Sequence, residues 1–490
     1  MEKEETVAWE AVRAALKKIW GYEDFRAPQG EIIRSLLQKR DALIVLPTGG
    51  GKSICFQLPA LLQKGLTLVV SPLIALMENQ VQELRDRNLP AGLLHAEIPS
   101  NQRKKILQDI KNNRLRLLYL SPETLLSQKV WAIITQPQVE INGIILDEAH
   151  CLVQWGETFR AAYRRLGAVR LALLQSKPPG TKIALAAFTA TADTETQQII
   201  KNVLQLQCPE IFLNNPYRPN LYLNVKITCT PAGRKRQLLK FIKARENQAG
   251  LVYARTRHDS ENLAEWLRQN SLATAAYHAG LSAACRREIE TNWLSGKLKF
   301  VVCTSAFGMG INKPDARWVL HFQAPALLSE YIQEVGRAGR DGKPAEALTL
   351  ISEPTGLLNP EDKQRLRFFE EKLRSLYRRA GELAKKIPPS GEVEAIARQY
   401  KDGALALSLL HSAGKLTWRD PFHYQIKKSA VGTLSFQPNK LSQDMINYLK
   451  TRRCRWQFLL EAFGFAKEAP AKGCGHCDNC KRGISVKFYI

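Results

Sequence analysis

Long apolar runs are missing from this sequence. The longest, residues 66–77, is interrupted by Ser71 and Pro72, so nothing reaches the roughly 20 residues that a membrane-spanning helix needs. A secretory leader is missing as well. The chain starts Met1-Glu2-Lys3-Glu4-Glu5, which is acidic and carries no apolar core. These absences predict a soluble, cytoplasmic protein with no membrane partner. Acidic residues are also in short supply, with 46 Asp and Glu against 71 Lys and Arg and a net charge of +25. A chain this basic suits a polyanion, and nucleic acid is the first candidate; simple solubility charge is the plainer alternative. No disulfide framework is visible. Cys55, Cys151, Cys208, Cys229, Cys285 and Cys303 are scattered, and only Cys454, Cys474, Cys477 and Cys480 crowd together. That pattern reads as thiols of a reducing compartment plus one metal site.

What the chain does have is alternation. Its 490 residues leave room for two to four domains. Short runs rich in Leu, Ile and Val at 42–46, 66–71, 115–120, 141–146 and 183–188 are each followed by a polar or Gly-containing turn. Such runs mark parallel strands covered by helices on both faces. A second series follows at 251–253, 274–277, 300–303, 318–321 and 347–351. The prediction is an α/β fold of two tandem parallel-sheet lobes, residues 1–212 and 213–355, joined near Pro216-Tyr217-Arg218-Pro219. After about Ser352 the alternation stops. Residues 361–386 have a basic helical pattern, and Pro388-Pro389-Ser390-Gly391 reads as a boundary. Two further helix patterns, at 393–400 and 405–410, precede a hairpin pattern around Asp420-Pro421. Residues 356–450 therefore read as a helical segment holding either a winged-helix unit or a plain helical connector, and 451–490 as the cysteine module.

Three segments carry chemistry. In Pro47-Thr48-Gly49-Gly50-Gly51-Lys52-Ser53 the glycines let backbone N–H groups close on phosphate oxygens at the start of a helix that opens at Ser53. Thr48, Gly49, Gly50 and Gly51 would line ATP, Lys52 would reach the β- and γ-phosphates, and the Ser53 hydroxyl would ligate Mg²⁺. The strict phosphate-loop pattern has Gly five residues before Gly51, where this chain has Leu46. The second segment is Leu146-Asp147-Glu148-Ala149-His150. Asp147 leaves an apolar strand at the edge where ligands bind in open α/β sheets. It is assigned to magnesium, and Glu148 to orienting and deprotonating the attacking water. In the third, Gly336-Arg337-Ala338-Gly339-Arg340, the two arginines are three apart and on a helix would share one face. There Arg337 and Arg340 would serve as arginine fingers from the second lobe.

The cysteines are spaced for a metal. Cys474, Cys477 and Cys480 follow one another at intervals of three, and Cys454 lies 20 residues before them on a helix pattern with Trp456, Phe458 and Leu459. Four thiolates suit a closed tetrahedral Zn²⁺ site; an iron–sulfur cluster is the alternative reading of such spacing.

In their order along one chain, these motifs resemble the RecQ DNA helicases of superfamily two, in a short bacterial form. The resemblance covers most of residues 20–345 and the terminal cysteines. It implies RecA-like lobes and a zinc-binding helical hairpin. Gly21-Tyr22, Phe25-Arg26 and Gln29 resemble the adenine-reading motif, with Tyr22 stacking on the base and Gln29 bonding its edge. Here the run is Arg26-Ala27-Pro28-Gln29, where the family has Arg-Pro-Gly-Gln. Gln154-Trp155-Gly156 and Phe159-Arg160 resemble the aromatic-rich loop that couples strand binding to hydrolysis. Trp155 and Phe159 could stack on bases and Arg160 could contact DNA; packing of Trp155 between lobes is the plainer alternative. Glu157-Thr158 stand where the family has His-Asp, which bears on the strength of that coupling. Ser71-Pro72-Leu73, Ser121-Pro122-Glu123, Thr189-Ala190-Thr191, the segment from Thr304 through Phe307-Gly308-Met309-Gly310 to Asn312, and Gln333-Glu334-Val335-Gly336 fit the remaining motifs. The resemblance further implies 3′-to-5′ movement on single-stranded DNA, duplex unwinding in repair and recombination, a nucleoid-associated monomer, and a single-stranded-DNA-binding protein as partner. An RNA helicase or annealing translocase, and a non-catalytic DNA-binding scaffold, are the rivals.

Overall fold

The computed structural model of the chain describes residues 8–47, 50–153, 161–307, 311, 313–427 and 440–485. Its first sheet has seven strands: β1 (Ala42–Val45), β2 (Leu66–Val70), β3 (Ala91–Leu94), β4 (Leu117–Leu120), β5 (Ile141–Leu146), β6 (Ala184–Thr189) and β7 (Glu210–Leu213). They run in the order β3-β4-β2-β5-β6-β1-β7, and every pairing is parallel. β1 to β6 are buried along their whole length. Helices cover both faces, which is why these strands read as unbroken apolar runs rather than as alternation.

The second sheet has six strands: β8 (Leu221–Thr228), β9 (Gly250–Tyr253), β10 (Ala276–Tyr277), β11 (Phe300–Cys303), β12 (Trp318–His321) and β13 (Ala345–Ser352). Its order is β10-β11-β9-β12-β13-β8, again parallel throughout. The expected strands are all present: those at 141–146, 300–303 and 318–321 keep their limits, and the others move by one or two residues at an end. β3, β7 and β8 were not expected. β3 is Ala-Gly-Leu-Leu, too short and Gly-broken to stand out, and β7 and β8 are edge strands. In β8 buried and part-buried positions alternate over Leu221–Val225. The chain passes from the first sheet to the second between β7 and β8, across the Pro216–Pro219 run.

A 24-residue helix, Glu361–Ala384, leaves the second lobe. It is pinned at its root by the fully buried Arg234, which donates to both Asp362 oxygens at 2.9 and 2.7 Å. A small unit follows: β14 (Ser390–Glu392), helices Val393–Gln399 and Gly403–Ser412, β15 (Leu416–Trp418) and β16 (His423–Ile426). The three strands pair antiparallel in the order β14-β16-β15. This is a winged-helix arrangement, not a plain connector. Ser390 and Gly391, expected at a boundary, instead belong to its first strand. Asp420 Oδ1 makes the hairpin turn by accepting from Phe422 N at 2.7 Å and His423 N at 2.9 Å.

The last part of the chain returns to the second lobe. Helix Lys440–Lys450 places Tyr448 Oη 2.9 Å from Tyr331 Oη. Trp456 Nε1 donates to the Leu221 carbonyl of β8 at 3.1 Å. Met445, Tyr448, Trp456, Leu459 and Cys477 share one buried core with β8, β9, β11 and β12. Among the described residues, no helix is long and apolar enough to cross a membrane.

Candidate nucleotide and metal sites

The phosphate turn leaves β1 and the acidic segment leaves β5, with β6 between them in the sheet. The helix after the turn is Lys52–Leu62, so Lys52 rather than Ser53 opens it, with Gly51 before it at φ +72°. A Cβ on Gly51 would fall 2.3 Å from Gln29 Nε2, so only glycine fits there. Gln29 holds the turn from outside: Nε2 donates to the Gly50 carbonyl at 3.0 Å and Oε1 accepts from Arg26 N at 3.0 Å. Lys52 Nζ donates to the Leu46 carbonyl at 3.2 Å and so lies folded over the turn. Tyr22 stands half exposed at the rim. Thr48 and Gly49 lie outside the described residues, as do Trp155, Phe159 and Arg160.

Asp147 and Glu148 are both buried. Burial, and then the neighbouring Glu148 carboxylate, push the Asp147 carboxyl well above the usual carboxylate range, against the pull of Lys52. Glu148 goes the other way. Burial would raise it, but the His150 hydrogen bond and charge outweigh that, and Lys52 and Arg337 add to the lowering. His150 sits 3.2 Å from Glu148 Oε2 and 3.0 Å from Thr189 Oγ1 at the end of β6. Two buried carboxylates with their affinities driven apart are suited to unlike tasks. Glu148 also has φ +52°. A non-glycine residue held in that region costs on the order of 1–3 kcal/mol and marks functional sites. Neither this backbone position nor the role of His150 was anticipated from sequence.

Arg337 and Arg340 do not lie on a helix, contrary to expectation. Helix Leu328–Val335 ends first, and both arginines occupy the turn that follows. Gly339, at φ +61°, bends it; a Cβ there would meet Ala345 and Asn220 at 2.7 Å. The inter-lobe segment clamps this turn. Arg218 Nη1 donates to the Gly336 carbonyl at 2.8 Å, and Asn220 Nδ2 to the Gly339 carbonyl at 2.8 Å. Arg340 Nη1 donates to the Ile311 carbonyl at 3.2 Å. Arg337 is buried and lines the inter-lobe cleft together with His150, the neighbour of Glu148 at 3.2 Å. Its positive charge adds to those that hold the Glu148 carboxyl down. The Gly-x-x-Gly spacing was the available signal for the turn. The clamp by Arg218 and Asn220 had none.

The four cysteine Sγ atoms lie within 4.8 Å of one another, with Cys474 and Cys480 at 3.9 Å. A tetrahedral zinc site with bonds of about 2.3 Å places its sulfurs about 3.8 Å apart. A polynuclear iron–sulfur cluster interposes several atoms and holds its thiolates farther apart. Two backbone N–H groups already point at sulfur, Cys474 N to Cys454 Sγ at 3.2 Å and Cys480 N to Cys477 Sγ at 3.4 Å. The donor set fits zinc. His476 is turned away, with Nδ1 2.6 Å from the Cys474 carbonyl and its ring against Tyr222. Cys454 precedes helix Arg455–Ala462 instead of lying on it, as the cap residue.

Three family descriptions match in order along the chain: DEAD/DEAH box helicase over residues 26–199, helicase conserved C-terminal domain over 233–342, and RecQ zinc-binding over 426–481. The ATP-dependent DNA helicase RecQ of Synechocystis is 51% identical over 480 residues, covering 97% of this chain and 99% of that protein. The chain belongs to the RecQ family. The RecQ of Haemophilus influenzae is 39% identical over 70% of this chain, which spans about half (53%) of that longer protein. Among solved structures, helicase Lhr of Mycobacterium smegmatis, bound to ssDNA and AMP-PNP, superposes with TM-score 0.55 at 19% identity over 89% of this chain and 61% of that one. The DUF1998 helicase MrfA, bound to DNA, gives TM-score 0.57 at 17% identity over 90% and 66%. Those two likenesses concern the fold, two RecA-like lobes followed by further domains. The RecQ kinship accounts for the zinc site.

Proposed function

We infer that this chain is an ATP-dependent DNA helicase in which hydrolysis at the lobe seam drives one lobe against the other along a DNA strand. The observation that carries the reading is a shared cleft: Arg337 of the second lobe lines it together with His150 of the first, and His150 lies 3.2 Å from the Glu148 carboxylate. Nucleotide held there would be in contact with both lobes, so its cleavage would change the force between them. Gly50, Gly51 and Lys52 bind the phosphates, and Tyr22 and Gln29 face the base. Ser53 and Asp147 would hold a magnesium ion, which when bound neutralises phosphate charge; the two crowded buried carboxylates suit such a cation. Glu148, kept ionised, takes the proton of the attacking water, and His150 holds its carboxylate in place. Arg337 and Arg340 meet the charge that develops on the transferred phosphoryl group. Cys454, Cys474, Cys477 and Cys480 hold structural zinc.

The finer assignments belong to the same reading: Trp155, Phe159 and Arg160 contact the strand, movement is 3′-to-5′, the protein works as a nucleoid-associated monomer, and a single-stranded-DNA-binding protein is its partner. Domain limits near 212, 355 and 450 complete it. The test is phosphate release with and without single-stranded DNA. Lys52→Ala and Glu148→Gln should each abolish DNA-stimulated hydrolysis while thermal unfolding stays cooperative. Full turnover in either variant would refute the site. Strand displacement on tailed DNA and RNA duplexes separates the DNA helicase from its RNA rival.

A further inference from the structure

The winged unit does not hang free at the end of its helix. It closes back on the first lobe. Ser408 Oγ donates to the Ala161 carbonyl at 3.2 Å, and Arg165 Nη1 donates to the Pro421 carbonyl at 3.2 Å. Phe422 packs edge-on against Trp131, ring centres 5.2 Å apart, at the border of the first lobe's core. The other end of the same assembly is fixed to the second lobe by Arg234 and Asp362, whose Oδ2 also accepts from Ser352 N at 2.7 Å. Between these anchors the long helix and the winged unit form one packed body through Leu383, Ile387, Ile396, Leu407 and Tyr424. The path of contacts runs from first lobe to second, along the helix, through the winged unit and back to the first lobe.

Inside this loop lies a cleft of about 1,730 Å³ lined by all four parts, for example Pro72, Arg286, Phe369 and Thr417. That volume exceeds the roughly 300–1,000 Å³ of small-molecule pockets. Four acids of its lining are consumed by internal partners: Asp362 by Arg234 at 2.7 Å, Glu330 by Arg255 at 3.2 Å, Glu334 by His321 at 2.9 Å and Glu290 by Tyr277 at 2.5 Å. Glu78, Glu97, Glu195, Glu353 and Glu370 line it too, but lysines and arginines outnumber the acids: Arg257, Arg286, Arg287, Lys363, Lys372 and Lys427 are among them, with the aromatic rings of Phe369 and Tyr377 on the long helix. Cations with interleaved aromatic rings are what a single strand requires, phosphates against the first and bases on the second.

We propose that the long helix and winged unit close the inter-lobe cleft into a channel that topologically encloses one strand of DNA, with the contact of Ser408, Pro421 and Phe422 on the first lobe as its latch. This rests on the DNA helicase reading above. The long helix then forms the far wall of the strand path, and a bound strand leaves either by its end or by opening of the latch.

The test uses the full chain carrying Ala161→Cys and Ser408→Cys, placed at the latch where Ser408 Oγ meets the Ala161 carbonyl at 3.2 Å. Circular or linear single-stranded DNA is bound first, the pair is then oxidised, and the complex is washed in high salt. Phosphate contacts weaken by about 10³–10⁵ over a modest rise in salt, so any strand with a free end should wash away. The expected result is that the circle stays, the line leaves, and a reductant releases the circle. Protein oxidised before mixing should fail to load the circle. Equal loss of circle and line from the cross-linked protein would overturn the proposal; a pair that does not oxidise directly is joined by a short reducible bis-thiol reagent and tested in the same way. If linear DNA does not bind even the reduced protein in low salt, the helicase reading fails instead.

Discussion

Replacing Arg337 with alanine probes the seam between the lobes most directly. Its side chain is buried, 6% exposed, and lines the inter-lobe cleft opposite His150, the neighbour of Glu148. The Arg218 and Asn220 hydrogen bonds fix its turn. Little reorganisation is therefore needed for it to meet a γ-phosphoryl group. Arginine fingers contribute about 10³–10⁵ in turnover, which is about 4–7 kcal/mol of transition-state stabilisation. The lower end is expected here, because Arg340 places a second guanidinium in the same turn. DNA-stimulated kcat should fall about 10³-fold. KM for ATP should move by no more than a few-fold, since a contact made mainly in the transition state changes kcat and not ground-state binding. Arg337→Lys should recover only a small part, because an ammonium lacks the planar fork. The assay is phosphate release under saturating single-stranded DNA with ATP titrated, beside a thermal melt to show that loss of a buried side chain has not unfolded the lobe. Turnover within about threefold of wild type, or a loss confined to KM, would show that Arg337 does not act on the reaction.

Chelation of zinc should cost the second lobe as well as the hairpin, since Cys477 and Trp456 share its core; a chelator-treated sample melting at the untreated temperature would contradict this. Among the described residues, Asp362→Ala leaves the fully buried Arg234 with only Glu361, 3.6 Å away, as a carboxylate partner. It should destabilise by about 3–5 kcal/mol in denaturant titration, and a loss under about 1 kcal/mol would show the anchor to be unimportant. His411 is pushed down to about 4 by burial, with the charges of Arg164 and Lys427 adding. Its folded affinity for protons is thus below the unfolded one, so stability is intact above about pH 6.5 and falls as pH drops toward 4, by about 3 kcal/mol. His411→Leu should flatten that part of the pH–stability curve, and an unchanged curve would remove His411 as its source.

Legibility from sequence followed burial together with composition, since the equally buried β3 (Ala-Gly-Leu-Leu) was missed. β1, β2, β4, β5 and β6 could be read because both their faces are covered, which leaves uninterrupted Leu, Ile and Val. β8 could not, because one of its faces is covered only by the C-terminal hairpin that arrives some 230 residues later through Trp456 and Leu221. The winged unit was readable in its helices and hairpin, since Asp420-Pro421 carries turn chemistry of its own, but its first strand, β14, is three residues long and borrows its register from β16. At the seam, residue types were legible and conformations were not. Lys52, Asp147 and Glu148 declare themselves by spacing. The positive φ of Glu148 and the non-helical arginine turn are imposed by neighbours from other elements, among them His150, Arg218 and Asn220. The aromatic-rich loop lies outside the described residues, so its place along the strand path rests on the family pattern.

β8 also closes the second sheet on one side, and a strand in that position presents unmet backbone groups to any passing chain. Here the cysteine hairpin occupies that border: Cys477 bridges to Leu223, and the Asp478 carboxylate takes the Val225 N–H at 3.3 Å. The hairpin is thus a lid on a sticky seam. Loss of zinc would uncover this border at the same time as it weakens the lobe, and the bared strand could then pair with other copies of the chain.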